Sequence, residues 1–289
     1  MEAKKEHKKK KWIKFCPVCK STNVIFASYY GEGDFWKNPL MDPEAVTMAV
    51  SNAQECLRWI GNYLEDYQGK KLLDIGAHYG FFVAEAEKFG FHARGIEINK
   101  HAVAEAHKRG ISLHLGSAEK FPITGPFDVI TMFHVLEHVE DPQLIINNIV
   151  KNLRPGGLFI MEVPNIESYL AKHHGLSWKY IALEHLWYFS PATLRKLLAD
   201  SGFQIVFWQK RNYEIGYMSL GWIRQYFFPS RHFYYDRFRA KVSRTADELP
   251  PTIKLLHTLA MQSGIKRFLS RIIHWLQRGD HLLVVARKI

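Results

Sequence analysis

Two acids stand at the ends of apolar runs, where a carboxylate is costly to bury. Asp74 lies near the end of Lys71-Leu-Leu-Asp-Ile75, and Glu97 follows Gly95-Ile 23 residues later. Gly76 and Gly80 come directly after the first acid, so the chain can turn sharply into a helix whose leading N–H groups have no partner of their own. A carboxylate at such a turn repels a pyrophosphate and attracts a sulfonium or an amino group. An acid at the tip of the next strand can take both hydroxyls of a ribose. The pair therefore describes a site for S-adenosylmethionine. The spacing Gly76 to Gly80 does not supply the G-x-G-x-x-G of dinucleotide enzymes, which argues against NAD or FAD.

Imidazoles form the second chemically capable set. His134, Glu137 and His138 stand at i, i+3 and i+4, which a helical turn would bring to one face. His185 follows in Glu184-His-Leu-Trp-Tyr-Phe-Ser190, a stretch able to overhang a pocket mouth. Methyl transfer to a hydroxyl requires a base that titrates near neutrality, and histidine meets that need. His185 is the first candidate base or acceptor ligand; His134 and His138 are the further catalytic candidates. With Glu137 these histidines also have the spacing of a divalent-metal set.

The elements that must position these residues follow from periodicity. Apolar side chains at helical spacing predict a helix over 43–67, and strand and helix then alternate. Strands are expected at 71–75, 92–98, 112–115, 127–133 and 158–163, with helices at 81–89, 100–109 and 142–153. Ser190-Pro191 is an N-cap followed by a first-turn proline, predicting a helix to Asp200 and a sixth strand at 203–209. A seventh strand is expected at 281–286. Such alternation implies an α/β fold: a doubly wound parallel sheet with its ligand crevice at the carboxyl ends of the strands.

These residues resemble a class I S-adenosylmethionine-dependent methyltransferase, of the group that includes the ubiquinone-pathway O-methyltransferases and many sugar and small-molecule methyltransferases. The likeness runs from about Leu72 to Phe207 and includes the last strand. It implies a seven-stranded Rossmann-like methyltransferase sheet with an N-terminal helical cover. Asp74-Ile-Gly76-Ala-His78-Tyr-Gly80 stands for D-x-G-x-G-x-G, with His78 in place of the middle glycine. The resemblance puts the cofactor against Asp74, Gly76, Ala77, Gly80, Glu97, Ile98, Ser117, Ala118, Glu119 and Phe133. Ser117, Ala118 and Glu119 would lie along the adenine edge, and Phe133 and His134 would face cofactor and acceptor. Some relatives hold a metal through E-x-x-E-H and a later histidine; here the first acid is replaced by His134, and no resident metal is expected.

Charge is unevenly spread. Residues 1–20 carry +6 and residues 210–289 carry +10, leaving −5 for residues 21–209 of a total of +11. An acidic middle does not suggest a nucleic-acid channel, although the basic flanks could touch phosphate or anionic lipid. Three cysteines, no leading apolar segment and no apolar stretch long enough to cross a bilayer predict a cytoplasmic protein. Cys16 and Cys19 show half of a zinc ribbon, and an ordinary reduced turn is expected there. The chain divides into residues 1–42 (basic tail and C-x-x-C segment), 43–209 (cofactor-binding core), 210–279 (helical insertion) and 280–289 (final core strand). The insertion is rich in aromatic and basic residues such as Trp222, Arg224, Phe227 and Arg231, which suits an acceptor groove or a peripheral membrane contact. The expected activity is methylation of a small-molecule hydroxyl. An RNA or N-methyltransferase, or a non-catalytic cofactor-binding protein, is the alternative.

Overall fold

The computed structural model describes residues 11–13, 24–26, 43–120, 123–178, 180–182, 184–211 and 279–289. Two short strands, β1 (Lys11–Ile13) and β2 (Val24–Phe26), pair antiparallel. The Cys16/Cys19 turn lies outside the described residues, as does nearly all of the aromatic insertion. Helix α1 (Pro43–Gly61) precedes β3 (Lys71–Ile75), α2 (Phe81–Phe89), β4 (His92–Glu97), α3 (Lys100–Lys108), β5 (Leu113–Leu115) and β6 (Phe127–Phe133). Then come α4 (Pro142–Asn152), β7 (Leu153–Pro164), α5 (Tyr169–His174), α6 (Pro191–Asp200), β8 (Phe203–Arg211) and β9 (His281–Lys288). Among the described residues, no helix is long and apolar enough to cross a membrane.

Seven strands form one sheet in the order β5-β4-β3-β6-β7-β9-β8. The strands from β5 to β7 run parallel, but β9 lies antiparallel between β7 and β8. The sheet is therefore mixed, not parallel throughout as the alternation of strand and helix predicts. Periodicity within a segment reports that a strand exists; its direction depends on pairing with strands far away in the chain. Element boundaries also move: α1 ends at Gly61, short of the expected residue 67, and β7 begins at Leu153, ahead of the expected 158.

Side chains alternate across the strands, and both faces are covered. Leu72, Val129, Ile160 and Val285 pack against Leu57 and Ile60 of α1, Val83 and Ala86 of α2 and Val103 of α3. Leu73, Ile130, Phe159 and Val284 face Ile145, Ile146 and Ile149 of α4 and Leu194 and Leu198 of α6. The caps fix where these helices begin. The Asn99 side chain accepts from His101 N and Ala102 N ahead of α3, and Ser190 forms a capping box with Thr193 ahead of α6. Ile130 is fully buried at the middle of β6, so Ile130→Ala should lower unfolding free energy by about 3 kcal/mol in urea titration.

Candidate active site

The loop after β3 is laced to the end of β4. Gly76 N and Ala77 N both donate to the Ile96 carbonyl, at 2.9 and 3.0 Å. His78 N then donates to Glu97 Oε2 at 2.7 Å, and Asn99 N donates to Oε1 at 2.8 Å. Gly76 has φ +79°, and a Cβ there would stand 2.2 Å from Val135 Cγ2. Only glycine meets both conditions. His78, in the place of the usual middle glycine, also takes a left-handed φ of +50°, so the imidazole accepts the conformation that glycine would supply. Its ring stands edge-on to Tyr79 at 4.5 Å. Burial lowers the His78 pKa, with the Glu97 charge opposing.

These residues border a cavity of about 290 Å³, lined by Asp74, Gly76, Ala77, His78, Tyr79, Phe82 and Phe133. Helix α1 closes its far side with Ala49, Asn52, Ala53 and Cys56. Sequence reasoning missed this wall, because an amphipathic helix carries no mark of which residues meet a ligand and which meet core. Burial pushes the Cys56 thiol up to about 12, so it lines the wall as a neutral group. Ile98 is 55% exposed just past Glu97. Ser117 Oγ accepts from Glu119 N, and the Glu119 carbonyl accepts from Asn148 Nδ2, which holds the 116–119 loop. Gly80, at φ +76°, caps α2 and is not among the lining residues named for the cavity. A larger hollow of about 410 Å³ lies at the amino ends of the strands, beside Lys71, His92 and Phe127. It is remote from both acids, and open α/β sheets bind ligands at the other end.

Asp74 accepts a hydrogen bond from Thr131 Oγ1 at 2.7 Å. Burial pushes its carboxyl up to about 7, with the Thr131 hydrogen bond pulling it back and the Glu97 charge adding to the rise. An acid held this way ionises more readily beside a cation.

The histidines divide into two groups. Phe133 packs edge-on against Phe82 and leads directly into His134, whose φ is +56°. That turn aims the His134 ring at Glu162 (Nε2 to Oε1, 3.8 Å) and at Glu137 (Nδ1 to Oε1, 3.5 Å). Burial alone would lower the His134 pKa, but the Glu137 hydrogen bond and the Glu162 charge raise it overall. Burial likewise opposes ionisation of Glu137, and its bond to His134 keeps it below the ordinary carboxylate range. Across a short 3-10 turn, Leu136–His138, His138 Nδ1 donates to the Glu184 carbonyl at 2.9 Å and its ring meets His185 edge-on at 4.7 Å. Leu186 N and Trp187 N both donate to the Glu137 carbonyl, clamping the 184–187 segment over this turn. His185 stacks on Tyr180 at 6.2 Å, and burial lowers its pKa.

The four residues whose spacing suits a divalent-metal set are therefore not assembled as one. His134 groups with Glu162 and His281, while Glu137, His138 and His185 group separately, each set offering ligand atoms within 4.8 Å of one another. The position that holds an acid in E-x-x-E-H is turned toward another carboxylate, so the residues do not fit that set. Glu162, Arg211, His281, Tyr180 and Thr131 were missed as site residues. The one available signal was an acid inside the otherwise apolar run Leu158–Val163.

A methyltransferase-domain family matches residues 50–207, more than half of the chain. The chain belongs to that family. It is a class I methyltransferase that uses S-adenosylmethionine. Among curated relatives, the ubiquinone biosynthesis O-methyltransferase of Psychrobacter arcticus is 27% identical over 180 residues, covering 52% of this chain and 70% of that protein. Its counterpart in Thiobacillus denitrificans is 28% identical over 163 residues, covering 51% and 70%. Among solved structures, phosphoethanolamine N-methyltransferase 2 of Haemonchus contortus superposes with TM-score 0.56 at 16% identity, covering 91% of this chain and 61% of that one. That last likeness concerns the fold.

For this methyltransferase, the sign of the Asp74 linkage is definite. A carboxyl whose folded pKa lies above its unfolded value makes the folded state bind more protons, so stability falls as pH rises from 3.8 toward about 7. Asp74→Asn should flatten that slope in urea midpoints taken at pH 4.5 and pH 7.5; an unchanged slope would show that Asp74 titrates normally.

Proposed function

We propose that the enzyme transfers the methyl group to a hydroxyl oxygen of a small-molecule acceptor. The observation that carries this reading is that Phe133, a wall of the cofactor cavity, leads straight into a turn bearing His134, Glu137 and His138, with His185 clamped against it. Polar groups able to accept a proton thus stand on the side from which an acceptor would approach. The two relatives named as O-methyltransferases support oxygen as the methylated atom.

In this reading Glu97 takes the ribose hydroxyls. A carboxylate offers about four lone-pair positions, and the backbone donors His78 and Asn99 use one on each oxygen. Each oxygen keeps one for a hydroxyl. Asp74 faces the amino group and sulfonium, whose charge favours its ionised form. Gly76 and Ala77 allow close approach, Ile98 covers the adenine face, and Ser117, Ala118 and Glu119 follow its edge.

His185 is the base. Its lowered pKa keeps the imidazole neutral at pH 7 and able to accept the hydroxyl proton. The acceptor oxygen attacks the methyl carbon in line with the carbon–sulfur bond, whose electron pair returns to sulfur and leaves S-adenosylhomocysteine. Alignment and exclusion of water supply most of the acceleration, because the sulfonium has already activated the carbon. His134 and His138 orient the acceptor and the base.

Glu97→Ala should raise the Kd for S-adenosylmethionine at least tenfold in calorimetry; unchanged affinity would remove Glu97 from the ribose. His185→Ala should lower kcat about 100-fold while leaving cofactor affinity unchanged. The rising limb of the wild-type pH profile should lie below 6.5, the ordinary histidine value. Production of S-adenosylhomocysteine with RNA, and none with a panel of hydroxylated small molecules, would overturn the acceptor assignment.

A further inference from the structure

We propose that His134, Glu162 and His281 form a binding site for a divalent transition-metal ion, distinct from the Glu137, His138, His185 group. Three adjacent strands bring them together. Phe133 pairs with Glu162 across β6 and β7, so His134 sits just beyond that register position, and His281 opens β9 opposite Pro164 of β7. Glu162 Oε1 lies 3.8 Å from His134 Nε2 and 3.6 Å from His281 Nδ1. Ligands about 2.1 Å from one ion stand roughly 3.0–3.4 Å apart. Small side-chain rotations close that difference.

Each ligand is held from behind, as ligating groups usually are. The guanidinium of Arg211 bonds Glu162 Oε2 through Nε at 2.7 Å and through its second nitrogen, which leaves Oε1 facing the two rings. Tyr180 OH meets His281 Nε2 at 2.6 Å, which directs Nδ1 toward Glu162. Glu137 stands behind His134 Nδ1, which directs Nε2 the same way. The independent sign of a missing ligand is Glu162 Oε1, which is fully buried and has no hydrogen-bond partner among the described residues. A buried carboxylate oxygen left in that state is unfavourable unless something occupies it.

Charge and donor type narrow the occupant. Among the described residues, Glu162 and Glu137 outweigh the guanidinium of Arg211, so a dication enters a shell of net negative charge. Two imidazoles and one carboxylate suit zinc, cobalt or iron(II), whereas magnesium and calcium favour oxygen alone. His281 is 2% exposed but the His134 side chain is 34% exposed, so an ion there has one side open to a further ligand. On the O-methyl reading proposed above, that open position receives the acceptor hydroxyl and eases loss of its proton.

The test is metal binding, so it stands whether or not the acceptor assignment does. Full-length protein carrying Cys16→Ser and Cys19→Ser, which removes competing thiolates, is stripped with a chelator and titrated with Co²⁺ under visible absorption and calorimetry. One equivalent should bind with nitrogen–oxygen d–d bands. Glu162→Gln should weaken binding at least tenfold, and His185→Ala should leave it within twofold. His134→Ala, at the partly exposed position, gives the same loss if Glu162→Gln fails to fold, with circular dichroism confirming structure. Binding kept in Glu162→Gln or His134→Ala but lost in His185→Ala would place the ion in the other group and overturn the proposal. Folded parent protein that takes up no Co²⁺ would overturn it as well.

Discussion

Buried carboxylate at the carboxyl edge of an apolar sheet is the constraint on which this active site depends. Asp74, Glu97 and Glu162 all end or nearly end their strands, and all three are buried. An ionised group in such a place must be compensated or it will protonate. Each is handled differently. Glu97 receives two backbone N–H donors, Glu162 receives a guanidinium, and Asp74 receives only a threonine hydroxyl.

Those three solutions match three kinds of work. Glu97 is fixed in place by donors on both sides of its carboxyl, which suits a group that must present lone pairs in constant geometry. Asp74 is undercompensated, with its pKa raised to about 7, and so is responsive to an arriving cation. Glu162 is hydrogen-bonded on one oxygen only among the described residues, and its other oxygen faces His134, just past β6, and His281 of β9.

The backbone shows the same division between rigid support and directed function. Residues 76–78 are tied to β4 through the Ile96 carbonyl and Glu97, so the cofactor loop moves with the sheet. Two histidines, 78 and 134, hold left-handed backbone at the tips of the neighbouring strands β3 and β6. Such conformations cost about 1–3 kcal/mol each and persist where surrounding contacts enforce them. At residue 134 the result is a ring that reaches both Glu137 and Glu162.

Much of the cofactor side could be read from local pattern. An apolar strand, an acid, glycines and a helix are contiguous, so Asp74, Gly76 and Ala77 reach the cavity wall by short-range geometry alone, and Glu97 follows one strand later. Strand and helix positions were legible for the same reason, since hydrophobic period is a property of neighbouring residues. The cluster around Glu162 was not legible. Its members lie at 134, 162, 180, 211 and 281, and they meet because an antiparallel strand from the C-terminus inserts between β7 and β8. Spacing at i, i+3 and i+4 suggested one histidine–carboxylate face, and His134 does meet Glu137, yet its ring also reaches Glu162, 28 positions away. Local chemistry names the groups that can act; which of them touch is set by strand register and backbone hand, and these depend on contacts far apart along the chain.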